Sequence, residues 1–330
     1  MLKFYTEKVY LCSMNRLFSA ILLLTIAATA VGQPIAKVLK QQSLKHYGIP
    51  AGNYSGITHL GGSRYAVCDD KAPDGFFVWN IDVDTVSGKI RQVRNEGFHA
   101  SGCANRDAED IAYAADLQTV FMASEQDGKI YAYAPDGQPK PAESPVLLDR
   151  FSKNTGLEGL TYDRQRRCLW AMEENGGEGR CRLLRLDHRL ATLQTLHYPL
   201  DAPVAKKKGL THIHGVSAVC ALDDGRLLVL EREAWVPKKK IGAWVRCKLY
   251  VVSPQQLSEK QLVAAWRSRL NLTARSWANY EGMCLGPRMA DGRCVLILLS
   301  DSQNRYGGVL QDRIRTVLLT LPATEAASVA

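Results

Sequence analysis

No C-x-x-C pair, no Cys/His zinc spacing, no G-x-S-x-G elbow and no H-E-x-x-H segment occurs in the 330 residues. The usual signatures of dithiol redox, structural zinc, serine-hydrolase and zinc-protease chemistry are therefore missing. Aromatic residues are few, at 8%, and do not interleave with arginine, and no helix-turn-helix or RNA-binding pattern is present. Without these the formal charge of +9 does not make nucleic acid an expected partner. The excess positive charge points instead to a small anionic substrate. No long stretch has 3.6-residue periodicity, which excludes an α-rich fold.

Long apolar runs are also scarce. The one at Leu17–Gly32, preceded by Asn15 and Arg16 and ending in small residues, is shorter than the about 20 residues a membrane span needs. It reads as a signal peptide over residues 1–32, with one mature domain over 33–330, exported to the periplasm or secreted, without a membrane anchor and monomeric. Of nine cysteines, Cys12 falls in that leader. Cys68, Cys168 and Cys220 lie in apolar runs as buried small hydrophobes, and Cys284 with Cys294, flanking the turn GPRMADG, is the first pair to test for a disulfide.

What the chain does have is a repeat. Ser55-Gly56-Ile57, Glu109-Asp110-Ile111, Glu158-Gly159-Leu160, His214-Gly215-Val216 and Glu281-Gly282-Met283 recur at steps of 54, 49, 56 and 67 residues, the period of a four-stranded unit. Each is followed by an apolar run ending on an acid, at Asp69 and Asp70, Glu125, Glu173, Glu231 and Asp301. Alternation and turn signals resolve each repeat into four strands. In the second these are EDIAYAA, TVFMASE, KIYAYAP and PVLLDRF. The fifth repeat lacks an outer strand, which IAKVLKQQSLKHYG near the start of the chain can supply. The expectation is an all-β propeller of five blades of four antiparallel strands, closed by an N-terminal strand so that no edge is left open. Six blades is the runner-up, with a degenerate repeat hidden in the 67-residue step.

In a blade, the start of the innermost strand and the end of the second meet at one rim of the channel. Two rings of polar residues then face each other at its mouth. So many carboxylates need a cation or raised pKa values, and an oxygen-rich ring suits calcium. The candidate metal ligands are Glu109, Glu158, Glu281, Glu173, Glu231 and Asp301; the candidate catalytic residues are Glu158, Glu281, His214 and Glu109. Arg232, Arg305, Lys208, Lys238, Asn154 and Asn279 are candidate substrate contacts, the lysines belonging to the triplets Lys206–Lys208 and Lys238–Lys240. His212 reads as structural. The competing reading is that each acid only bonds backbone N–H groups of the next blade.

The segments NTGLEGLTYD, RDAEDIAY, NYEGMCLGP, LLVLERE and LLSDSQN resemble the phytase-like esterase family, secreted bacterial proteins described by esterase-like activity of phytase. The resemblance runs from about Ser43 to Leu321. It implies a β-propeller, export, and hydrolysis of phosphate or carboxylic esters. The family's EG acids correspond to Glu109, Glu158 and Glu281, and its strand-end acids to Glu173, Glu231 and Asp301. Asp110 in place of Gly, His214 in place of an acid, and Ser55 are departures that lower the negative charge at the mouth. The expected function is a cation-assisted hydrolase of an anionic ester. A calcium-dependent lactonase-like enzyme and a non-catalytic propeller that binds glycan or protein are the alternatives.

Overall fold

The computed structural model describes residues 34–147, 156–272 and 276–322. Its strands all lie in the unit Ile35–Thr320. In chain order they are β1 (Ile35–Val38), β2 (Gln42–Ser43), β3 (Tyr54–Gly61), β4 (Arg64–Asp69), β5 (Gly75–Val83), β6 (Ile90–Ala100), β7 (Ala108–Ala114), β8 (Thr119–Ser124), β9 (Lys129–Tyr133), β10 (Pro139–Glu143) and β11 (Leu157–Asp163), followed by β12 (Cys168–Glu173), β13 (Arg180–Leu186), β14 (Thr192–Pro199), β15 (Thr211–Ala221), β16 (Leu227–Val236), β17 (Trp244–Val252), β18 (Gln261–Arg269), β19 (Asn279–Arg288), β20 (Cys294–Asp301) and β21 (Arg313–Thr320). They form five antiparallel sheets, β3–β6, β7–β10, β11–β14, β15–β18, and β19–β20–β21–β1, with β2 also on β21. Each innermost strand packs against the next around the ring, and β19 returns to β3. The molecule is a five-bladed β-propeller without α-helices among the described residues.

Closure comes from opposite ends of the chain. Ile35 to Val38 pairs with Thr320 to Val317 in antiparallel register, which supplies the outer strand missing from the fifth repeat. The long step before that repeat holds no sixth blade; it is taken up by the longer strands of blade 4, 11, 10, 9 and 9 residues. In blade 2 the outer strand is Pro139–Glu143 rather than PVLLDRF, since the turn after Tyr133 is tight enough to set Pro139 opposite it. Two prolines are tolerated there because an outer edge need not donate.

The core lies between blades. Tyr65, Trp79, Ile57 and Ile297 fill the junction of blades 5 and 1, and Trp170, Tyr198, Val219 and Val229 that of blades 3 and 4. Polar ties between innermost strands cross the junction of blades 1 and 2 and that of blades 3 and 4. The Tyr113 N–H donates to Thr58 Oγ1 at 3.1 Å and the Ala221 N–H to Thr161 Oγ1 at 2.9 Å. Asp110, standing where most repeats have glycine, is buried and accepts from Ile111 and, across to blade 3, from Leu160, at 2.8 and 2.7 Å. Burial holds its carboxyl well above the ordinary range despite those bonds.

All eight described cysteines are free. Cys284 lies opposite Ile297, and Cys294 opposite Arg288. The turn closes over Met289–Arg293, beyond the centre of GPRMADG, so Cys284 and Cys294 are not a cross-strand pair.

Candidate active site at the channel mouth

A β-bulge sits at the same place in every innermost strand. The ladder with the second strand skips one residue between Tyr54 and Gly56, Ala108 and Asp110, Leu157 and Gly159, Val216 and Ala218, and Tyr280 and Gly282. The skipped residues, Ser55, Glu109, Glu158, Ser217 and Glu281, therefore form the first ring, because a bulge re-aims one side chain out of the pleat. The fourth member is Ser217, three residues beyond His214. The residue after each bulge packs where the inner strands converge. A Cβ on Gly56 would stand 2.7 Å from the Asp110 Cα, and one on Gly282 only 3.3 Å from the Gly56 carbonyl carbon.

The second ring follows from the same register. The residues opposite the position before each bulge are Asp69, Ser124, Glu173, Glu231 and Ser300. The next residue in each chain, of opposite facing, is Asp70, Glu125, Glu174, Arg232 and Asp301. In this ring blade 4 contributes a cation.

Arg232 is almost fully buried and lies between blades 3 and 5. Its Nη2 donates to Glu174 Oε1 at 2.6 Å, and its Nη1 donates to Glu281 and, at 3.1 Å, to Asn279 Oδ1. Asn279 Nδ2 in turn donates to Glu281 Oε1 at 2.8 Å. Burial disfavours the charge of this guanidinium, yet Glu281, Glu174 and Glu158 hold its pKa well above its ordinary value.

One guanidinium does not neutralise the rings. Among the described residues Glu109 and Glu158, neighbours in blades 2 and 3, have no hydrogen-bond or ion-pair partner. Burial first, then adjacent carboxylates, pushes both well above the usual carboxylate range. Asp301 is raised likewise, by burial and then Glu281. Glu174 is raised by burial, with Arg232 pulling the other way.

Next to Glu109, one oxygen each from Asp70, Asp107 and Glu109 lie within 4.8 Å of one another. Lys71 Nζ reaches Asp70 Oδ2 at 2.9 Å and Asp107 Oδ1 at 2.6 Å. Asp70 Oδ1 is buried without a hydrogen-bond partner, and burial pushes this carboxyl up to about 6 even beside Lys71. Asn105 shapes the loop: its Oδ1 accepts from the Asp107 N–H at 3.0 Å and its Nδ2 donates to the Asp70 carbonyl at 2.8 Å. An orphaned carboxylate oxygen among three hard oxygen donors fits a calcium-like cation.

The other predicted residues are spread more widely. Glu173 and Glu231 face the blade interiors: Glu173 binds Arg182 at 2.9 Å, and Glu231 binds Lys260 at 2.5 Å and the Tyr198 hydroxyl at 2.8 Å. His214 is half-buried above Ser217, beside Arg232, Arg246 and Lys248 in a cleft at the mouth. Burial lowers its pKa, leaving the ring neutral near pH 7. His212 is held by Glu233 at 3.1 Å. Arg305 is exposed and lines a cavity of about 360 Å³ with Ile49, Pro50 and Asp312 on the mouth side of blades 5 and 1. Lys208 and Lys238 are exposed at the end of blade 4, and Asn154 lies outside the described residues. Asn105, four residues before the repeat glutamate, is the asparagine that the sequence pairs with it, whereas Asp107 and Glu174 were not singled out by the repeat. The acid-rich runs RDAED and MEEN signal these two, although alternation alone does not tell which acid turns inward.

The model of the phytase-like family, described as esterase-like activity of phytase, matches residues 49–303. The chain belongs to this family. The match spans from the loop before β3 to just beyond Asp301, so both rings of this phytase-like propeller fall inside it. No curated protein sequence matches significantly. Solved structures similar to the phytase-like chain include hydrazine synthase of Kuenenia stuttgartiensis, 10% identical over 79% of this chain and 80% of that one, TM-score 0.39. A chain of a nidogen/laminin complex is 12% identical over 84% and 88%, TM-score 0.38. The Cps50 (Swd1) β-propeller domain of Myceliophteria thermophila is 10% identical over 88% and 100%, TM-score 0.35. Similarity this low carries no functional argument. Among the described residues no helix is long and apolar enough to cross a membrane.

Proposed function

We propose that the channel mouth is the active site of an exported, cation-assisted hydrolase acting on a small anionic ester, phosphate or carboxylic. The observation that carries this reading is the uncompensated acid at blades 1 to 3: Glu109 and Glu158 without partners beside the orphaned Asp70 Oδ1. Buried charge of one sign is seldom left so. Asp70, Asp107 and Glu109 would hold the ion, and calcium suits their oxygens. When bound, such an ion polarises an ester oxygen and acidifies water.

The chain's own groups supply the rest. Glu158, half-buried and unpaired, takes a proton from water as general base. His214, neutral and half-buried beside Arg232, is the second candidate for that role. Arg232 and Asn279 fix Glu281 in place. The cavity of about 360 Å³ lined by Arg305 is of small-ligand size and accepts the acidic part of the ester.

The test is metal analysis of the purified protein together with turnover of phosphate and carboxylic esters, with and without chelator. Turnover lost on chelation and restored by calcium supports the proposal; a metal-free protein indifferent to chelator overturns it. Glu158→Gln should lower turnover roughly 100-fold or more without loss of fold. A propeller that only binds glycan or protein would keep its affinity in that variant.

A further inference from the structure

Blade 4 is taller than the others on the mouth side. The innermost strands of blades 1, 2, 3 and 5 begin one or two residues before their bulge, whereas β15 begins at Thr211, six residues before Ser217. At the rise of a strand this lifts the end of blade 4 about 20 Å above the ring. Three loops at that end are tied together. The Leu210 N–H donates to the Val236 carbonyl and the Gly242 N–H to the Leu270 carbonyl, each at 2.7 Å, and Trp235 Nε1 donates to the Lys207 carbonyl at 2.9 Å.

The tip so formed has an unusual surface. Leu210, Ile241 and Leu272, one from each loop, are 56%, 58% and 85% exposed, although nothing in a solvated loop requires large apolar side chains to project. Around them stand Lys206, Lys207, Lys208, Lys238 and Lys239, all exposed and none with a hydrogen-bond or ion-pair partner for its ammonium group. Arg267, over the Trp244 ring at 4.3 Å, and Arg269 extend the charge down β18. The nearby acids are already engaged. Glu233 accepts from the Val204 and Ala205 N–H groups and His212, and Asp201 is paired with Lys260 at 2.6 Å and with Lys248.

We infer that this tip docks on an anionic phospholipid surface. Separate apolar side chains on rigid loop ends, ringed by unneutralised lysines, combine shallow insertion with attraction to acidic headgroups. A purely polyanionic ligand would leave the three exposed apolar side chains unexplained, and the unneutralised lysines in the same loops call for an acidic surface. Such docking holds the mouth toward the lipid surface. It does not depend on the cation or on catalysis.

The test is co-sedimentation of the intact protein with phosphatidylcholine vesicles with and without phosphatidylglycerol. Binding is expected only with phosphatidylglycerol, and is expected to weaken with salt. The combined variant Leu210→Ser, Ile241→Ser, Leu272→Ser, which keeps every charge, should lose most of that binding while turning over a soluble ester as the parent does. Lys206→Gln, Lys207→Gln, Lys239→Gln should weaken it roughly a hundredfold. Absence of wild-type binding overturns the inference. So does full binding by the serine variant, and so does equal capture by heparin of the parent and the serine variant together with no vesicle binding, which would identify a polyanion site.

Discussion

Blade 4 and its neighbours solve the same problem in opposite ways. Blades 2, 3 and 5 send glutamate into the first ring and an acid into the second; blade 4 sends Ser217 and Arg232. The other blades stop near the ring, while blade 4 continues outward as a basic, aromatic wall. A propeller core fixes where side chains meet but not which ones. One divergent repeat can therefore supply the counter-charge that lets several similar repeats remain acidic.

The sharpest way to break this contrast is to remove the cation. Arg232→Met would leave Glu174 and Glu281 buried without their partner, and is expected to cost about 3–5 kcal/mol of stability, measured by urea unfolding. If the rings also bind calcium, added calcium should return part of that loss. No change in the unfolding midpoint would mean that the two blades do not depend on each other electrostatically.

A smaller effect tests the packing half of the comparison. Blade 4 already has Ala218 after its bulge, whereas Gly56 in blade 1 would drive a Cβ to 2.5 Å from Asp110 Oδ1 and 2.7 Å from its Cα. Gly56→Ala is expected to destabilise by about 1–3 kcal/mol, and Ala218→Gly by about 1 kcal/mol or less. Equal losses at the two sites would erase the distinction.

A further effect concerns pH. Asp312, at the junction of blades 5 and 1, accepts from Ser302 and Gly52, yet burial raises its pKa from 3.8 to about 6. Between those values the folded chain binds more protons than the unfolded one, so this group's contribution makes stability fall as pH rises through that window. The full loss, present above about pH 6, is at most about 3 kcal/mol. Asp312→Asn should flatten the difference between melting temperatures at pH 4.5 and 7, readable by calorimetry; an unchanged difference would remove Asp312 as its source.

The blade count and the N-terminal closing strand were legible because a short acid-small-apolar motif recurs at a four-strand period, and because the fifth repeat visibly lacks an edge. The candidate site was legible only in part. Glu109, Glu158, Glu281 and Asp301 stand at ring positions in the motif and in the strand register alike, since each is the only acid at its place in the motif or closes its strand. Glu173 and Glu231 fall one residue off the ring in that register, because their neighbours Glu174 and Arg232 are also polar, and a one-residue difference in a strand reverses the facing. The bulge decides that difference, and a bulge leaves no mark in the local sequence beyond the motif itself. In the fourth repeat His214-Gly215-Val216 matched the pattern better than Ser217-Ala218-Val219, so the true register was masked by a near-copy three residues upstream.

The pairing of Ile35–Val38 with Thr320–Val317 has a bearing on how the protein is made. The clasp joins a segment synthesised before the first four blades to one synthesised after them, so four blades can assemble while the circle stays open. A ribosome that stops before Arg313 yields a fifth blade of two strands and an unlatched toroid, which proteases should distinguish from the finished ring.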